Sequence, residues 1–219
     1  MPGILKHAGI TCLFVWCALL LGAQVTHPDM IFVQGGKFTM GSVIGGSDEQ
    51  PVHEVILDDF YMGRFEITQW QWRQIMDQDT NKFYFEGCDS CPAERISWND
   101  VQVYIRNLNE ETKMNFRLPT EAEWEFAARG GLLTKEYKYS GSNTDTEVAW
   151  KVGNTDSRTQ FAGLKKPNEL GIYDMTGNVF EWCADWYSPK WYEVSPARNP
   201  AGPDTGVFRV IRGGSWFYD

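Results

Sequence analysis

The stretch GIYDMTGNVFEWCADW, residues 171–186, sets two carboxylates, Asp174 and Glu181, on either side of a tight Thr176-Gly177-Asn178 turn. Between them the backbone carbonyls of alternate residues, Gly177 and Val179, can face the same concavity. Two acids and two carbonyls from one short loop are the oxygen-only donor set that a hard cation such as calcium takes. The same residues also allow a purely structural arrangement. Glu181 would then pair with a buried arginine, and Asn178 would cap the turn.

A second acidic stretch is FRLPTEAEWEFAARGG, residues 116–131, which carries Arg117, Glu121, Glu123 and Glu125. Glu121 and Glu125 share a helix face, Glu123 is placed to close a capping box with Thr120, and Arg117 is available to pair. That pattern points to a salt-bridge network rather than to acid–base catalysis. Histidine chemistry is excluded by supply. His7 and His27 lie at the N-terminal end and only His53 falls within the folded part, so neither a histidine metal site nor a Ser–His–Asp triad can be assembled. The paired glycines Gly35-Gly36 and Gly45-Gly46 lack the spacing of a phosphate-binding loop and precede no helix.

The N-terminal segment differs from the rest. Lys6 precedes an apolar run from Ile10 to Leu21, and Leu21-Gly22-Ala23 supplies small residues before Gln24. Such a run is too short to span a bilayer and suits a secretory signal peptide at residues 1–23. The expected product is exported, without insertion into a membrane after cleavage, with a retained N-terminal anchor as the alternative. Cleavage removes one lysine and no acid, so the net charge of −9 becomes −10. A chain this acidic has no electrostatic footprint for nucleic acid or anionic lipid, and its charge favours cations or basic partners; a protein or peptide is the expected ligand. In an exported chain, Cys88 and Cys91 of CDSC read as a local disulfide, with a thiol metal site or redox pair as alternatives. Cys183 reads as a buried small apolar residue.

The elements that must hold these groups are short. MIFVQGGKFTMGS, residues 30–42, reads as two strands joined by a two-residue turn at Gly35-Gly36, and residues 53–68 alternate as further strand. Thr68 is placed to cap a helix through QWQWRQIM. Ser97 caps WNDVQVYIRNLNEET, with Trp98, Val101, Ile105 and Leu108 on one face, and Thr120 caps a third helix ending at Gly130. Beyond Leu132 turns predominate. The composition, 42% hydrophobic and 15% aromatic, supports one α+β domain with a core of large rings.

GGKFTMGS, RISWNDVQVYI, FRLPTEAEWEFAARGG, KKPNELGIYDMTGNVFEWCADWY and RVIRGGSW follow one another in that order. Together they resemble the formylglycine-generating enzyme (sulfatase-modifying factor) family, over residues 30–219. The resemblance implies a loop-rich α+β fold of the C-type-lectin-like kind, stabilised by calcium. It places the calcium ligands on Asp174, the carbonyls of Gly177 and Val179, and Glu181. Enzymes of the family use oxygen and copper(I), held by two cysteines after the RGGS segment, to convert a sulfatase cysteine to formylglycine. The first of those positions is Tyr218 here, a phenol in place of a soft thiolate. The second falls past Asp219, as do an arginine-rich stretch and a final strand. The expectation is therefore a domain incomplete at its C-terminus, with calcium, without catalytic residues or bound copper, serving as a binding or assembly module. The alternative is a fragment of an active oxidase.

Overall fold

The computed structural model describes residues 27–76 and 83–218. The expected signal peptide lies outside the described residues. Among them no helix is long and apolar enough to cross a membrane.

The first four strands form one bent, two-stranded ribbon. β1 (Met30–Val33) pairs antiparallel with β4 (Phe60–Gly63), and β2 (Gly36–Met40) pairs antiparallel with β3 (His53–Leu57). The outer register ends at Val33 opposite Phe60 and the inner one begins at Gly36 opposite Leu57. Thus Gly35-Gly36 is not the hairpin turn that its glycines suggested. It is a kink within the ribbon, and residues 41–52 make the reversal. Gly35 is needed there because backbone packs against it. A Cβ would lie 2.3 Å from the Leu57 carbonyl oxygen, and its N–H donates to Asp59 Oδ1 at 2.8 Å. The acidic side chain of the second crossing thereby fixes the first.

Three helices start on capping boxes that are visible in the sequence. α1 (Gln69–Ile75) begins on Thr68 with Gln71, α2 (Trp98–Thr112) on Ser97 with Asp100, and α3 (Glu121–Ala128) on Thr120 with Glu123. In each the cap hydroxyl accepts the third helical N–H while that residue's side chain returns to the cap backbone. The CDSC loop adds to the start of α1. Cys88 and Cys91 are disulfide-bonded, and the carbonyls of Cys91 and Asp89 accept the Gln69 and Trp70 N–H groups. A short α4 (Asp145–Val148) follows, then β5 (Glu181–Trp186) pairs antiparallel with β6 (Arg209–Arg212).

Two apolar clusters result. The larger packs the ribbon, α3, β5 and β6 around Phe126, Ile172, Met175 and Cys183. The smaller joins α1 to α2, where Trp72 stacks on Tyr104 with ring centres 4.7 Å apart, over Leu108, Val101 and Ile105. Trp98, expected on that same face, turns the other way. Its Nε1 donates to the Cys183 carbonyl at 3.0 Å, and its ring carries the Arg209 guanidinium at 3.7 Å. The alternation of β5 puts Glu181, Cys183 and Asp185 on one face, with Cys183 and Asp185 buried and Glu181 at the end next to the preceding loop.

Candidate metal centre

The 171–186 stretch crosses the larger core as a loop that becomes β5. Asp174, Gly177 and Asn178 all sit at positive φ, at 58°, 88° and 57°, and so turn the chain sharply between Asp174 and Glu181. The loop is anchored on both sides. Gly177 N–H donates to the Gly213 carbonyl at 2.6 Å, Asn178 N–H to the Trp150 carbonyl at 2.8 Å, and Trp216 N–H to the Asn178 carbonyl at 2.8 Å. Gly177 faces Trp150 so closely that a Cβ would lie 2.1 Å from its carbonyl oxygen.

Asp174 is 2% exposed. Its Oδ2 accepts the Gly163 N–H at 2.6 Å, while Oδ1 is buried without a partner. Burial pushes its carboxyl up to about 6, against the Gly163 hydrogen bond and the field of Lys165. Glu181 opens β5 with its carboxyl group enclosed. Its Oε2 accepts from Trp124 Nε1 at 3.0 Å. Burial pushes it up to about 7, with Asp174 adding to the rise. The arginine partner considered for Glu181 is therefore a tryptophan N–H instead.

A third carboxylate joins them. Glu66, 8% exposed, follows β4. Its Oε2 accepts from Asn178 Nδ2 at 2.7 Å and its Oε1 from the Val179 N–H at 3.2 Å. Burial raises its pKa well above the usual range, and the charges of Asp174 and Glu181 raise it further. Asn178 is more than a turn cap, since its Oδ1 also accepts the Gln160 N–H at 2.9 Å. Glu66 was missed in the sequence. The signal was present in FEIT, where an acid holds an inward position between a strand and a helix cap.

The donor set suits a hard cation. It offers an orphaned buried carboxylate oxygen on Asp174, the Glu181 carboxylate, and two carbonyls. Among the described residues, no hydrogen bond outside the helices and strands ends on the Gly177 or Val179 carbonyl. Nor does any group of three or more His, Cys, Asp or Glu side chains there stand ready to hold a metal. A cation at this loop would thus draw on the backbone carbonyls as well as the acids.

Beside the loop opens an apolar groove of about 570 Å3, within the usual range for a ligand site. Trp72, Tyr104, Trp182 and Trp216 line it, and Glu66 and Glu181 belong to the same wall. Tyr218, which the family resemblance sets where the first copper-binding cysteine is expected, is 58% exposed and packs edge-on against Phe180. Cys88 and Cys91 are tied to each other, and Cys183 is buried with its thiol pushed up by burial.

Comparison with known proteins matches residues 19–219 to the Sulfatase-modifying factor enzyme 1-like domain. The chain belongs to this family. Among relatives in the family, the formylglycine-generating enzyme of Streptomyces coelicolor is 41% identical over 138 residues, covering 57% of this chain and 42% of that one. The "Chaperone protein LppX" of Paenibacillus barcinonensis is 32% identical, covering 89% of this chain and 81% of its own. The "Serine/threonine-protein kinase pkn1" of Chlamydia pneumoniae is 33% identical over 86% of this chain, which spans only 33% of that protein. In three dimensions the chain resembles Treponema denticola variable protein 1, with a TM-score of 0.77 and 28% identity over 87% of this chain and 84% of that one. PvdO from Pseudomonas aeruginosa follows with a TM-score of 0.72 and 27% identity, covering 86% and 82%. The family fold expected from the motifs is thus the fold observed.

Proposed function

We propose that this chain is an exported, calcium-stabilised binding module of the sulfatase-modifying factor family, without the copper-dependent oxidase chemistry. The observation that carries the calcium reading is Asp174 Oδ1, a carboxylate oxygen buried without a partner beside the enclosed Glu181. A buried acid in that state is costly unless something positive meets it. Asp174, the Gly177 and Val179 carbonyls, and Glu181 are the proposed ligands. Calcium would neutralise the acids and hold the loop in its positive-φ turns.

The groove beside the loop is the proposed binding face for a protein or peptide ligand. Its rings supply apolar contact, and the calcium loop forms part of its wall. Support for export comes from the leader-like segment and from the Cys88–Cys91 disulfide, a bond of oxidising compartments. The second reading, an oxidase of a sulfatase cysteine, draws on the 41% identity to the Streptomyces coelicolor enzyme. Against it stands the exposed phenol of Tyr218.

The test is thermal unfolding in a chelator and in millimolar calcium, for the native chain and for Asp174→Asn. Calcium should raise the melting temperature of the native chain and leave that of the variant unmoved. Equal calcium responses from the two proteins would remove Asp174 from the site. Formylglycine appearing in a sulfatase peptide, with one copper bound per chain, would establish the oxidase reading instead.

A further inference from the structure

Glu66 lies far from the metal loop in sequence, in the bend between β4 and α1, yet each of its carboxylate oxygens takes a hydrogen bond from the loop. Oε2 accepts from Asn178 Nδ2 at 2.7 Å and Oε1 from the Val179 N–H at 3.2 Å. The peptide unit joining Asn178 to Val179 is therefore held at both ends, because its carbonyl accepts the Trp216 N–H at 2.8 Å. The preceding unit is held by Asn178 N–H on the Trp150 carbonyl, also at 2.8 Å. In a trans peptide the N–H and C=O point in opposite directions. Tying down the Asn178 N–H thus directs the Gly177 carbonyl away from Trp150, and fixing the next unit sets the plane from which the Val179 carbonyl departs.

We infer that Glu66 is a positioning residue of this loop, one that orients the Gly177 and Val179 carbonyls for a divalent cation without itself binding it. The inference rests on the calcium reading given above. Glu66 contributes in two ways. As an acceptor it takes two donors from consecutive residues, one on each carboxylate oxygen, whereas an amide would set its NH2 against one of them. Once a cation offsets the mutual repulsion, the Glu66 carboxylate would also add to the negative charge around Asp174 and Glu181. Outer-shell groups of this kind fix the ligands and raise the affinity of a site they do not touch. Glu66 also belongs to the groove wall, so a ligand pressing on it would reach the metal loop through two hydrogen bonds.

Glu66→Gln is the informative variant. It keeps the volume and one acceptor, but its NH2 must face either the Asn178 amide or the Val179 N–H, donor against donor. Trp124, whose Nε1 sits 3.0 Å from Glu181 Oε2, supplies the reporter. Terbium(III) bound at the loop should emit when this tryptophan is excited, and calcium should displace it.

The native chain should show this emission, and Glu66→Gln should bind calcium roughly 10–100-fold more weakly while still folding in chelator. Glu66→Asp, which keeps two acceptors and the charge on a shorter stem, should recover part of the loss. Should Glu66→Gln need calcium to fold, the dependence of its melting temperature on calcium concentration yields the same dissociation constant by linkage. A merely structural role would lower stability in chelator and leave that constant alone. A native-like constant in Glu66→Gln, within about twofold where the 10–100-fold loss is expected, overturns the inference and leaves the calcium reading standing. A native chain that gives no terbium emission and no calcium shift overturns both.

Discussion

Arg212 of β6 places Nη1 2.8 Å from Glu121 Oε1 and Nη2 3.0 Å from Glu125 Oε2, so one guanidinium bridges two acids one turn apart on α3. Glu125 also accepts the Gly41 N–H at 2.9 Å and pairs with Arg129 at 2.8 Å. Burial disfavours the Arg212 charge, but the two carboxylates outweigh it and keep the group protonated. The pair thus ties the ribbon, α3 and β6 into one body and orients the strand that leads to Gly213, whose carbonyl accepts the Gly177 N–H of the 174–181 loop.

Removing that guanidinium should be expensive. Arg212→Ala leaves Glu121 and Glu125 buried against each other, and breaking a buried ion pair on one side costs about 3–5 kcal/mol. Arg212→Lys should fall between the native chain and the alanine variant, because a single ammonium cannot fork to both acids. Urea unfolding in calcium measures both. A loss for Arg212→Ala below about 1 kcal/mol, the worth of an exposed pair, would mean that the network is solvated and structurally idle.

Asp185 supplies a prediction in pH. Burial pushes its carboxyl up to about 7, although it accepts the Glu121 N–H at the start of α3 at 2.9 Å. Glu121 and Glu123 on α3 add to the rise, and Arg209 on β6 is the cation whose charge Asp185 favours. The unfolded group titrates near 3.8. Between that value and about 7 the folded state therefore binds the extra proton. Stability from this group is greatest in acid and declines as pH rises through that window. Asp185→Asn keeps an acceptor for the Glu121 N–H and removes the titration. It should match the native chain near pH 4 and exceed it near pH 8 by on the order of 1–3 kcal/mol. Parallel stability–pH curves for the two proteins would place the titration elsewhere.

What could be read in the sequence was what is decided locally. Thr68, Ser97 and Thr120 each announced a helix because a capping box is closed within four residues. The CDSC disulfide and the Arg117–Glu123 pair, 2.7 Å apart, are equally short-range. The sharp turn between Asp174 and Glu181 was legible for the same reason, since its turn residues are contiguous. Long-range partners were hidden. Gly35-Gly36 carries a turn signal, and only the packing of Leu57 and Asp58 against it turns that signal into a kink. Glu121 and Glu125 were legible as a pair, but Arg212 reaches them from another strand. Glu66 meets Asn178 and Val179 across more than a hundred residues, and nothing near FEIT names them.

Gly177 and Gly214 separate backbone strain from the shape of the 174–181 loop. Both have positive φ, 88° and 81°, where an alanine costs roughly 1–2 kcal/mol by itself. Around Gly214 the nearest atom to a new Cβ is 4.0 Å away, so Gly214→Ala should cost little beyond that strain and keep the calcium response. At Gly177 the new Cβ would meet the Trp150 carbonyl oxygen at 2.1 Å. That oxygen also accepts the Asn178 N–H, so relieving the clash breaks the bond that aims the Gly177 carbonyl. Gly177→Ala should therefore be less stable than Gly214→Ala and lose its calcium-dependent rise in melting temperature. Differential scanning calorimetry with and without calcium measures both quantities. If Gly177→Ala retained the native calcium shift, the Gly177 carbonyl would not be a ligand, and the site would have to be built from the acids with other donors.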